Sequence, residues 1–140
     1  MSIADDLAQR LKREEGWSDH VYKDTRGVDT IGYGFAIDGV HGKLPVEIAE
    51  AWLHLIIQQK LPALYKALPW LSSQPHDVQL ALSDMSYQMG VDGVLGFKGM
   101  LAALQRKDYA KAAYEAQDSA WHNQTPNRAN GVIALIRGAA

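Results

Sequence analysis

Residues 15–34 read EGWSDHVYKDTRGVDTIGYG. Two carboxylates and a hydroxyl, Glu15, Asp24 and Thr30, fall between a helix end and a run punctuated by glycine. Upstream, Ser2 followed by Asp5 has the form of an N-terminal cap, Ile3, Leu7 and Leu11 recur on one helical face, and Gly16 is a stop. The spacing therefore predicts a first helix over about residues 3–14, with Glu15 at its C-terminal end. Val21-Tyr22, a turn at Thr25-Arg26-Gly27 and the run Val28 to Ile37 predict a small antiparallel hairpin.

This segment has the chemistry to split a glycosidic bond with water. Such hydrolysis needs an acid to protonate the leaving oxygen and a carboxylate to serve the water or attack directly. A helix C-terminus disfavours negative charge, which suits Glu15 to the proton-donating role. Asp24 lies between Lys23 and Arg26, whose cations favour its ionised form. Alternation along a strand would put Thr30, Gly32 and Gly34 on one face, an open shelf for a sugar, with Ile31 and Tyr33 facing into packing. Thr30 can hold a water by hydrogen bonds. By spacing alone, the same residues also read as an exposed helix-end glutamate, a turn aspartate and a bulged strand.

The flanking residues choose between these readings. Glu15-Gly16, then Tyr22-Lys23-Asp24-Thr25 and Gly27, then Thr30-Ile31-Gly32-Tyr33-Gly34 resemble the active-site segment of the T-even-type phage lysozymes, the muramidases of glycoside hydrolase family 24. Gln88-Met89-Gly90, Gly96-Phe97 and WHNQTPNRA at 121–129 are similar to later signatures of that family. The resemblance covers most of the chain except about residues 36–75, which look shortened. It implies that Glu15 is the general acid, that Asp24 and Thr30 position the attacking water with inversion, and that Arg128 sits close to Glu15. It further implies substrate-contacting or supporting roles for Gly32, Gly34, Ala36, Tyr87, Gln88, Met100, Glu115 and Arg128. Ala36, Met100 and Glu115 depart from the family's usual chemistry, and Phe35 stands where the family often has His.

Composition narrows the remaining classes. The formal net charge is -2 with no basic run, which argues against nucleic acid as partner. There is no cysteine, and His20, His41, His54, His76 and His122 lack paired ligand spacing, so neither a thiol nor a metal site nor another cofactor is expected. The N-terminal residues are charged throughout, which predicts no signal peptide, and no stable membrane insertion is expected. Trp52, Trp70 and Trp121 read as packing residues, and Trp17 as half-buried beside the motif.

Further along, Gly39, Gly42 and Pro45 mark a loop, and Val46 to Lys60 reads as a long helix that Pro62 and Pro69 break. Pro75 opens a helix carrying Val78, Leu82 and Met85 and stopping near Gly90. Helices follow at about 97–105 and 108–120, and a last one runs from a Thr125-Pro126 cap to about Arg137. The last helix reads as packing into the large lobe rather than as a membrane-active segment.

The expected fold is α+β and mostly helical, a single two-lobed phage-type lysozyme domain over residues 1–140. Its small lobe with an antiparallel sheet spans about 17–45, and a helix over about 46–60 connects to the helical lobe, 1–14 plus about 61–140. The first helix is expected to pack with that helical lobe. The expected function is cleavage of the β-1,4 bond between N-acetylmuramic acid and N-acetylglucosamine of bacterial peptidoglycan. The expected setting is a monomeric phage endolysin in the host cytoplasm, released through a holin-type pore to the periplasm and cell wall. Two rivals use the same frame: a lytic transglycosylase, and a non-catalytic peptidoglycan-binding or virion module.

Overall fold

The computed structural model describes residues 2–37 and 44–139. The expected loop at Gly39 and Gly42 lies outside the described residues. Internal contacts divide the chain into two compact units, Met1–Ala51 and Trp52–Ala140.

The first unit opens with α1, Ile3–Glu15. Its start follows from a full capping box: Ser2 Oγ accepts from the Asp5 N–H at 3.1 Å, and the Asp5 carboxylate accepts from the Ser2 N–H at 3.2 Å. Gly16, at φ 71°, ends it. Strands β1 (Ser18–Lys23), β2 (Asp29–Gly32) and β3 (Phe35–Ala36) then form an antiparallel sheet in the order β1-β2-β3. Tyr22 pairs with Thr30 and Lys23 with Asp29, while β1 bulges between Ser18 and Tyr22.

The expected single strand from Val28 to Ile37 is two strands. Gly32 and Gly34 have φ of 68° and 75°, so the chain reverses through Gly32-Tyr33-Gly34 and Ile31 pairs with Phe35. A left-handed backbone at two positions breaks the alternation that would have aligned Thr30, Gly32 and Gly34. Tyr33 sits at the turn instead of facing into a strand's packing.

Helix α2, Val46–Ala67, starts in the first unit and continues through the second. It runs through Pro62, where a break was expected. One lost N–H donor is offset because the helix beyond it delivers Leu64 and then Leu68 to the core. A 3-10 turn follows over Pro69–Ser73, and then α3 (His76–Leu95), α4 (Lys98–Gln105), α5 (Tyr109–Gln117), α6 (Ala120–Gln124) and α7 (Pro126–Arg137). Gly90, at φ 79° and ψ 167°, interrupts α3 where its stop was expected, and a short helical piece resumes beyond it.

The helix expected over 108–120 ends at Gln117. Ser119 accepts from the His122 N–H at 3.2 Å and starts α6, which the sequence reading did not separate. Pro126 occupies the first turn of α7, yet the Thr125 hydroxyl makes no cap. It donates instead to the Trp121 carbonyl at 3.1 Å.

The second unit holds the core. Leu64, Leu71, Val78, Leu82, Met85, Val94, Leu104, Val132 and Ile136 are buried, and Ala112, Ala113, Ala116 and Ala129 let α5 and α7 approach closely. Thus α7 packs its apolar face inside the unit. A buried polar relay ties its parts together: Gln74 Nε2 donates to the Leu104 carbonyl at 2.9 Å, and the Tyr109 hydroxyl donates to Gln74 Oε1 at 3.2 Å. Trp121 is buried and Trp70 partly so, but Trp52 is half exposed, because of α2 only Leu64 is fully enclosed. No described helix is long and apolar enough to cross a membrane.

Candidate active site

Glu15 is the last residue of α1, and its exposed carboxylate lies directly over Gly34. A Cβ built on Gly34 would stand 2.5 Å from Glu15 Oε2. The bare glycine therefore lets the helix end and the β2–β3 turn meet, and this contact explains why residue 34 lacks a side chain better than an open sugar shelf does. Gly32 serves its own turn in a similar way, since its absent Cβ is replaced by the Phe35 ring, 2.7 Å from where that atom would be.

Asp24 closes the β1–β2 loop. Its Oδ1 accepts from the N–H groups of Arg26 and Val28, both at 2.8 Å, while its own N–H donates to the Val28 carbonyl at 2.9 Å. The carboxyl is held below the usual aspartate range, chiefly by the Val28 N–H, with smaller help from the Arg26 N–H and charge and from the Gly27 N–H, against slight desolvation. Ionised Asp24 thus agrees with the sequence expectation, but its main cause is a backbone donor, not flanking cations. Lys23 is ion-paired with Asp29.

Thr30 is buried, and its hydroxyl donates to the Val28 carbonyl at 2.8 Å. Asp24 and Thr30 are therefore anchored on the same residue, Val28, one on its N–H and the other on its C=O. Each keeps capacity outward: Asp24 retains Oδ2, and Thr30 Oγ1 retains acceptor lone pairs. Ala36 pairs with Thr30 across β2–β3 and is exposed. Val28 carried no sequence signal beyond its place in the turn.

The remaining expected site residues lie in the second unit. Tyr87 and Arg128 share a pocket of about 410 Å³ with Leu53, Ile57, Leu61 and Asp84. Lys60 Nζ stands 5.2 Å from the centre of the Tyr87 ring. Arg128 is paired with Asp84: its Nε donates to Oδ1 at 3.2 Å, and its terminal nitrogen makes a second contact with the same oxygen. Asp84 was not singled out in the sequence, because a partner 44 residues away leaves no local pattern.

Gln88 is held at both ends. Its Oε1 accepts from the Trp121 indole N–H at 3.0 Å, and its Nε2 donates to Thr125 Oγ1 at 3.4 Å. Met100 and Glu115 line a second pocket, about 370 Å³, with Gly93, Gly96, Lys98 and Asp118. The Met100 residue is 1% exposed and belongs to the core, so of these two it is Glu115 that offers a polar head to that pocket. Glu115 is ion-paired with Lys111 at 3.1 Å. The residues named from sequence thus fall into four local groups: Glu15 with Gly34, Asp24 with Thr30 and Ala36, Tyr87 with Arg128, and Met100 with Glu115.

The chain matches the family model described as "Phage lysozyme" over residues 12–137. It is 31% identical to "Probable T4-type lysozyme 1" of Dictyostelium discoideum, over 93% of this chain and 92% of that protein. It is 29% identical to "Probable T4-type lysozyme 2" of the same organism, with the same coverage of both chains. It is also 31% identical to the pre-baseplate central spike protein of Enterobacteria phage T4, over 93% of this chain but 27% of that protein. The first alignment runs over 157 positions, more than the 140 residues of this chain, so this chain is the shorter partner within the matched span. With the family model spanning nearly the whole chain and the helical fold with its three-stranded sheet in agreement, the chain belongs to the phage lysozyme family, a family of peptidoglycan-hydrolysing enzymes.

Proposed function

We propose that this lysozyme hydrolyses the β-1,4 bond between N-acetylmuramic acid and N-acetylglucosamine with Glu15 as general acid and a water held by Asp24 and Thr30 as nucleophile. The observation that carries the reading is the shared anchoring of Asp24 and Thr30 on Val28. Because the Thr30 proton is committed to the Val28 carbonyl, Oγ1 is an acceptor toward solvent. A water can then give one hydrogen to Thr30 Oγ1 and the other to ionised Asp24, leaving its lone pair for the anomeric carbon. Glu15 gives its proton to the leaving oxygen as the glycosidic bond breaks, and Asp24 takes the proton from the attacking water. Attack on the face opposite the leaving group inverts the anomeric centre. Arg128, Tyr87, Gln88 and Glu115 hold or orient the glycan around the reacting bond.

The biological setting proposed is that of a monomeric phage endolysin. It accumulates in the host cytoplasm and reaches the wall through a holin-type pore, with no nucleic-acid partner and no stable insertion in the membrane. A second reading, a lysozyme module of a virion spike, is favoured by the similarity to the phage T4 spike protein. Expression in a bacterial cytoplasm separates them: lysis that requires a co-expressed holin supports the endolysin.

Digestion of purified peptidoglycan, with products read by mass spectrometry and NMR, tests the chemistry. Hydrated, α-configured muramic acid ends from the wild type, and none from Glu15→Gln, are expected. Anhydro ends would establish a transglycosylase. No release from either protein would establish a binding module.

A further inference from the structure

We propose that Trp17 and Phe35, on either side of Tyr33, form a stacking platform for a sugar ring of the glycan strand beside the Glu15 carboxylate. The inference rests on the reading of Glu15 as the acid. Trp17 was expected to be half-buried, yet it is 67% exposed, and Phe35 is 58% exposed. Large rings left in water forgo burial worth roughly 1.5–3 kcal/mol each, so a contiguous exposed set calls for an occupant.

The rings are organised rather than scattered. Trp17 and Tyr33 lie 5.1 Å apart at a tilt, and Tyr33 and Phe35 lie 6.3 Å apart edge to face. The Phe35 ring rests on the bare backbone of Gly32. Lys12 Nζ stands 5.9 Å from the centre of the Tyr33 ring. Among the described residues, neither the Trp17 indole N–H nor the Tyr33 hydroxyl has a hydrogen-bond partner.

Position points to a sugar. Trp17 follows Glu15 by two residues, and Tyr33 and Phe35 flank the Gly34 that the Glu15 carboxylate touches. A glycan cut in its interior extends past the scissile bond on both sides, so the surface flanking the acid must meet a pyranose. A β-linked pyranose presents axial C–H bonds on each face, which pack on the negative faces of aromatic rings. Its hydroxyl and acetamide oxygens are acceptors for the free indole N–H. Phe35, at the position where the family often has His, acquires a role here that an imidazole paired to a carboxylate would not have.

The test titrates the Glu15→Gln protein with a soluble tetrasaccharide of alternating N-acetylglucosamine and N-acetylmuramic acid. The Trp17 indole N–H resonance is followed by NMR and affinity by calorimetry. The indole resonance is expected to shift on binding, and adding Trp17→Ala and Phe35→Ala should weaken affinity about tenfold. Trp17→Tyr, which keeps a ring, should restore most of it. In the Glu15 enzyme the same double change should raise KM by a similar factor while kcat moves less than about twofold. An unshifted indole resonance, or unchanged affinity in the double variant, would overturn the platform. A double variant that fails to fold leaves the resonance shift of the intact platform to decide. Turnover by Glu15→Gln would overturn the acid assignment instead, a result read from products and not from affinity.

Discussion

The two units of this lysozyme are held by different kinds of interaction. In Met1–Ala51 only Thr30 and Gly32 are buried among the described residues, and the side-chain hydrogen bonds described there span four residues or fewer. In Trp52–Ala140 a continuous apolar core is crossed by bonds such as Gln74 to Leu104, 30 residues apart, and Arg128 to Asp84, 44 apart. The segment that carries the proposed chemistry is thus shaped by turns, caps and glycines, and the larger unit by packing. Placing reactive groups on locally determined hairpins leaves their geometry independent of core volume. It also leaves that unit little burial of its own to resist disturbance.

The contrast can be broken most strongly in the core. Leu82→Ala removes a fully buried side chain and should cost about 2–5 kcal/mol in urea unfolding. Its rate on peptidoglycan well below the unfolding midpoint should stay within about twofold of wild type. A large rate loss in the still-folded protein would show that packing and site geometry are coupled after all.

Thr30→Ala should do the reverse. It deletes the acceptor proposed for the water and should lower the rate about a hundredfold, near 2.7 kcal/mol of barrier. Full activity in Thr30→Ala would remove the water-holding role. Gly34→Ala adds a methyl at 2.5 Å from Glu15 Oε2 and at φ 75°. About 1 kcal/mol of stability and about tenfold in rate should be lost together, measured by thermal melting and product release.

The smallest effect concerns pH. The folded Asp24 carboxyl is more acidic than in the unfolded chain, so its contribution to stability is present above the unfolded aspartate value and is lost as pH falls through the folded one. Wild type should therefore lose stability relative to Asp24→Asn only below about pH 4. Parallel curves down to about pH 2 would show that the Val28 N–H does not favour the ionised form.

Much of the fold was legible because its signals are local. Ser2 and Asp5 announced α1, Gly16 and Gly90 marked its end and the interruption of α3, and Pro126 opened α7. Pro62 misled because a single missing donor is a small term beside burying Leu64 and Leu68 beyond it. The reversal at Gly32-Tyr33-Gly34 was readable in principle, since two glycines one residue apart permit left-handed backbone, but alternation in a strand accounts for the same letters.

The sequence by itself determined the family, the spacing of Glu15, Asp24 and Thr30, and the ionised state of Asp24. Residue identity and short-range order suffice for these. Only the tertiary structure decided that Val28 anchors both Asp24 and Thr30, that Glu15 rests on Gly34, that Asp84 holds Arg128, and that Met100 belongs to the core while Trp17 does not. Those facts depend on which backbone groups a turn aims inward and on which remote side chains meet. Neither is a property of any single stretch of the chain.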